Sequence, residues 1–194
     1  MPFNRVYFPV QAIENHEDFD MWYEDGDLFA HAQSTWESEK SEIEFISNEG
    51  GNMAAIKPDY KALTYDLRVG QYRYEMHTYL LFEHYFIKGM LWQAHGNLQG
   101  EKYLNFVSEQ NDKKEVTIRK IDFRDKGLCY DVRVKELSHL RVAAVAAVAI
   151  AVKESYKGLS EGEASEDDSW YKKFQKYFVE KGIPYEELKK QRGW

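Results

Sequence analysis

The sequence predicts a mainly β protein: a sandwich or closed antiparallel barrel, with one wholly apolar helix enclosed near its end. Three observations carry this. Short apolar or alternating runs follow one another at spacings of roughly 8 to 15 residues, with no helical pattern between them, as in β-sandwiches and barrels. Strand-favouring aromatics are abundant, with 14 Tyr, 11 Phe and 5 Trp in 194 residues. Finally, Val142 to Val152 is an unbroken apolar run, mostly alanine, between the cations Arg141 and Lys153. Alanine is the best helix former, and at about 1.5 Å per residue the run falls far short of a hydrocarbon core about 30 Å thick. A helix apolar all round and too short for a membrane belongs inside a protein. A barrel closed around it covers it on every side.

Taken in order, Arg5 to Gln11 is a short β-like run in which Pro9 suits a sheet edge. Residues 19–32 and 43–56 repeat one pattern, an apolar run, an acidic or Asn-rich glycine turn, and a second apolar run. Each predicts a β-hairpin, because Asp25-Gly26 and Gly50-Gly51 supply the positive φ angles of tight turns. Lys61 to Val69 continues the meander. In Gln71 to Leu80, Tyr72, Tyr74, Met76, Thr78 and Leu80 share one face and Arg73, Glu75, His77 and Tyr79 the other, the mark of a half-buried strand. Tyr85 to Trp92 reads as the next strand, followed by a turn-rich 96–100 and strands over 102–107, 115–123 and 128–134. The total is ten to twelve strands. The apolar helix then occupies 140–156.

Composition changes after Lys157. Gly158 to Asp168 reads as an acidic linker, and Ser169 as the N-cap of a helix through Lys181. On that helix Trp170, Phe174, Tyr177 and Phe178 form one aromatic stripe, Gly182 stops it, and Pro184 opens a shorter helix through Gln191. The expected organisation is therefore a barrel domain 1–157, a linker 158–168 and a helical extension 169–194. The extension either docks on its own domain or offers the stripe to a partner's groove.

The single cysteine, Cys129, excludes an intramolecular disulfide framework. The N-terminus carries no cationic, apolar, small-residue leader. Both features predict a cytoplasmic protein without a transmembrane segment. Net charge is -7 but unevenly distributed: 3 basic and 13 acidic residues over 1–60, 16 and 12 over 61–157, and 7 and 8 over 158–194. An acidic chain is a poor partner for nucleic acid, whose affinity comes from neutralised phosphates. The basic middle still suits a local anionic partner.

No GxSxG, Walker, GxGxxG or HExxH motif occurs. The six histidines, at 16, 31, 77, 84, 95 and 139, show no metal-ligand spacing, and no catalytic residue, metal or cofactor is expected. Cys129 lies on the outward phase of its strand, opposite Tyr130 and Val132, with no signature of a nucleophile around it. The residues that could hold an anion are Lys88, Arg119, Lys120, Arg124, Lys126, Arg133 and Lys135. Solvated strand surface is the plainer reading of the same charges.

The repeated hairpins at 19–32 and 43–56, the Tyr85-Phe-Ile-Lys-Gly89 segment with its following strand, the 128–134 strand and the apolar helix 142–152 together resemble the tubby C-terminal-like superfamily. The resemblance is to LURP-one-related proteins and their small bacterial relatives, kin of phospholipid scramblases, and covers roughly residues 3 to 157. It implies a barrel of about twelve strands threaded by its helix, with no enzyme active site. Tubby itself holds a phosphatidylinositol bisphosphate headgroup with cations on the outside of the barrel, and scramblase relatives act at lipid. The tail from residue 158 departs from the small members, whose chain ends soon after the helix. The expectation is a non-enzymatic binding module, peripheral to the membrane, for an anionic phospholipid or, alternatively, for a protein through the aromatic tail.

Overall fold

A computed structural model describes residues 4–38, 40–59, 64–79, 84–96, 98 and 103–163. The chain divides into two compact units, Met1–Tyr156 and Lys157–Trp194. The expected linker from 164 and the whole extension, with Trp170, Phe174, Tyr177 and Phe178, lie outside the described residues.

The first unit is a closed barrel of twelve antiparallel strands. They are β1 (Arg5–Pro9), β2 (Phe19–Tyr23), β3 (Leu28–Ser34), β4 (Ile43–Ile46), β5 (Asn52–Asp59), β6 (Thr64–Val69), β7 (Tyr72–Tyr79), β8 (His84–Lys88), β9 (Trp92–Gly96), β10 (Tyr103–Ser108), β11 (Lys114–Asp122) and β12 (Leu128–Val134). Each pairs with its sequence neighbours, and β1 closes the ring on β12, from Arg5 opposite Arg133 to Pro9 opposite Cys129. Closure removes every sheet edge. The sheet as a whole has no edge, but at Pro9 β1 is paired with β12 alone, its pairing with β2 having ended at Tyr7, and proline, lacking an N–H, ends the strand there before the short helix α1 (Val10–Asn15).

Two strands stand where the sequence suggests one over 85–92. The chain reverses at Gly89-Met90-Leu91, with φ of 92° at Gly89 and 53° at Leu91. The turn is built from apolar residues, so neither alternation nor polarity marks it. The alternation along β7 holds over its middle, with Met76 and Thr78 buried and Arg73 and Glu75 exposed, but Tyr72, expected on the buried face, is 61% exposed at the strand's start beside the Gly70 turn.

Inward-facing Val6, Phe8, Met21, Phe45, Ile56, Leu67, Met76, Ile87, Leu104, Phe106, Ile118 and Val132 belong to one apolar core. So does every residue of the run Val142 to Val152, none more than 6% exposed. That run opens the helix α2 (Leu140–Glu163), which extends beyond the residue 156 at which the sequence suggests an end. Arg141, at its start, lies beside the β2–β3 and β4–β5 turns and Gly70. Farther along, His16 Nε2 lies 3.1 Å from the Ser155 hydroxyl, the Tyr156 hydroxyl donates to the Trp36 carbonyl, and the rings of His16 and Tyr156 stack at 3.8 Å. Among the described residues no helix is long and apolar enough to cross a membrane.

Candidate functional site

Directly paired residues of antiparallel strands share a face and lie about 4.5–5.5 Å apart. On the outside of β1, β12 and β11 this rule gathers Arg5, Arg133 and Thr117 in one row and Tyr7, Asp131 and Arg119 in the next. The face is outward because the alternate residues, Val6, Phe8, Ile118, Tyr130 and Val132, belong to the core.

Asp131 sits at the centre. Its side chain is 1% exposed; Oδ2 accepts a 2.9 Å hydrogen bond from Arg119 Nε, while Oδ1 accepts none from any described residue. A buried carboxylate oxygen without a donor keeps its desolvation cost and its negative potential. Arg5 Nη1 pairs with Glu24 at 3.4 Å. The Tyr7 hydroxyl above all, and then Asp131 and Glu24, push the Arg5 guanidinium above its ordinary range, against burial. Burial in turn pushes the Tyr7 phenol up. Arg133 is exposed and has no ion pair or side-chain hydrogen bond among the described residues.

The other expected cations are dispersed. Arg124, in the 3-10 turn Arg124–Lys126 between β11 and β12, donates to the carbonyl oxygens of Asp25 at 2.5 Å and Glu24 at 2.6 Å. It thereby ties that turn to the β2–β3 hairpin. Gly26 makes room for it, since a Cβ there would come within 2.9 Å of Arg124 Nη1. Lys126 lies over the Trp22 ring at 5.0 Å. Lys120 shares the register position of Tyr130, over whose ring its ammonium lies at 5.3 Å, and so belongs to the opposite face from Arg119. Lys88 stands opposite Glu75 on the β7–β8 pair, far around the ring. Lys135 is exposed just past β12, its N–H donating to the Glu115 carbonyl. Of the seven, Arg119 and Arg133 meet on one face, joined there by Arg5 and Asp131. The sequence reading passed over those two, although outward phase on β1 and β12 was the available signal.

The turn that Arg124 anchors folds over the outside of the barrel. Phe123 stacks on Tyr7 with centroids 3.8 Å apart, and with Trp22 and Ile121 they seal Cys129 completely. Cys129 thus has the outward phase expected of it and is nonetheless buried, with its thiol pushed up to about 11 by burial first, and by Asp122.

A second feature is a cavity of about 610 Å³ beside the start of α2, lined by Tyr23, Asp25, Asp27, Phe29, Glu49 and Arg141 among others. The two hairpin turns that repeat in the sequence form its walls. Among the described residues no three His, Cys, Asp or Glu side chains cluster in a way that could hold a metal ion.

No family model matches the chain. No curated protein matches it in sequence. The X-ray structure of a protein from Arabidopsis thaliana is similar in fold, with a TM-score of 0.50 at 11% sequence identity, covering 79% of this chain and 91% of that one. At that identity the likeness is one of fold.

Proposed function

We propose that the protein is a non-enzymatic, tubby-like binding module whose barrel is threaded by α2 and whose β1–β12–β11 face binds anionic phospholipid headgroups at the cytoplasmic membrane surface. The observation that carries the reading is the convergence of Arg5, Arg119 and Arg133 on adjoining strands, one of them without a counter-ion among the described residues. Guanidinium forks recognise phosphate oxygens by charge-assisted hydrogen bonds, with no reacting group required. The tubby-like architecture is supported by the closed ring of twelve strands, the likeness to the Arabidopsis structure, and the burial of every residue from Val142 to Val152. The cavity that Arg141 lines together with one set of hairpin turns, and the contacts of Ser155 with His16 and of Tyr156 with the β3–β4 connection, support the threading.

The test is sedimentation with vesicles containing rising fractions of phosphatidylglycerol or a phosphoinositide. Binding is expected at low salt, weakening as salt screens the face, and lost in Arg133→Ala. Absence of binding at low salt overturns the reading.

A further inference from the structure

The cavity beside the start of α2 has no part in headgroup binding, and its lining is bipolar. Three carboxylates, Asp25, Asp27 and Glu49, line it together with Arg141, the sole cation there among the described residues, and the buried Phe29 and Met53 add apolar wall. Its volume of about 610 Å³ lies within the range of small-molecule sites, about 300–1,000 Å³. We propose that this cavity binds a small zwitterion of the amino-acid type, a basic one above all. Its ammonium groups are held by the carboxylates of the two hairpin turns and its carboxylate by Arg141.

The two acidic glycine turns that repeat in the sequence meet at this cavity, and folding accounts for only part of them. The turns need their glycines, Gly26 at φ 99° and Gly50 at φ 79°. They also use Asp25, whose Oδ1 accepts the Asp27 N–H at 3.0 Å. The carboxylates of Asp27 and Glu49 serve no turn, and neither is paired with a described residue. Arg141 is as unexplained. It stands in the first turn of α2, where the positive end of the helix dipole disfavours a cation, and it makes no ion pair or side-chain hydrogen bond with a described residue. Charges of both signs thus line one cavity without meeting. The other cations near these turns are engaged: Arg5 with Glu24, Arg124 with the Glu24 and Asp25 carbonyls, Arg68 and Arg73 with Asp66. A molecule bearing both an ammonium and a carboxylate bridges the two sides by charge-assisted hydrogen bonds. The excess of carboxylates favours one with a second cationic end.

The experiment titrates the full chain calorimetrically with L-lysine, with cadaverine, which carries the same two amines and no carboxylate, and with L-glutamate. Lysine is expected to bind about tenfold more tightly than cadaverine, the worth of one charge-assisted contact, and glutamate most weakly. Arg141→Gln should erase the difference between lysine and cadaverine by weakening lysine alone, whereas Glu49→Gln should weaken both. Both positions are exposed, so the variants keep the fold, as circular dichroism will check. Cadaverine binding as tightly as lysine overturns the contact with Arg141 and with it the zwitterion. Lysine binding that neither variant changes lies elsewhere on the molecule and overturns the cavity as the site. Absence of binding by all three at millimolar concentration overturns the proposal outright. None of these measurements uses a vesicle, so each outcome is independent of headgroup binding.

Discussion

Cys129 is a thiol that strand alternation turns outward and the neighbouring turn then seals. Its cover, Tyr7, Phe123, Trp22 and Ile121, comes from three strands and a turn, so no local pattern could announce it, whereas its phase was legible from Tyr130 and Val132. The thiolate is the reactive form, and a pKa near 11 keeps it scarce. Labelling of the folded protein near neutral pH is therefore expected to be as slow as global unfolding; rapid stoichiometric labelling would contradict the seal. Between the ordinary value of 9.0 and about 11 the unfolded chain loses this proton while the folded one keeps it. Stability should accordingly fall over that window, and Cys129→Ala should flatten the decline in a denaturant series. Arg124→Ala releases the turn from the Glu24 and Asp25 carbonyls. A loss of about 1 kcal/mol and faster Cys129 labelling are expected, measured by urea melts and thiol titration.

At the scale of elements, α2 was the easiest to read and its neighbours the hardest. Eleven apolar residues from Val142 to Val152 announce a buried helix in any context. Its continuation to Glu163 was hidden because Gly158 looks like a stop yet is tolerated within a helix at about 1 kcal/mol. The six residues of α1 are too few to show a helical period. Val145 is fully buried, and Val145→Asp would place an unpaired carboxylate in the core; the expected outcome is loss of the folded state by circular dichroism, and a fully folded variant would contradict the packing. The contact between α1 and α2 carries its own pH dependence. Burial lowers the pKa of His16 from 6.5, so the neutral ring is favoured in the fold, and the stability it contributes is present above 6.5 and lost as pH falls from there through the lower value of the folded state. His16→Gln should weaken that dependence, as read from thermal melts across the interval.

For the whole molecule, the meander was legible and its closure was not. Hairpins at 19–32 and 43–56 follow from glycine turns between apolar runs, and each strand pairs with its sequence neighbours. The pairing of β1 with β12 joins residues more than a hundred positions apart, and nothing in either strand encodes the other. The candidate face shares this difficulty in part. Arg119, Arg133 and Asp131 lie on the local β11–β12 pair, while Arg5 joins them only through closure. Deleting residues 1–9 should therefore open the barrel, with loss of cooperative unfolding and strong binding of an apolar dye; a cooperative, dye-silent truncation would show that the ring does not need β1.

That closure also orders events during synthesis. The strand that leaves the ribosome first waits for the twelfth, and the apolar segment that shares the barrel's core emerges after both. Until residues 142–152 are made, the inward side chains of the twelve strands lack the apolar run that belongs to the same core. The nascent polypeptide should consequently depend on holding chaperones, and a stall before residue 140 should release an aggregation-prone fragment instead of a smaller folded one.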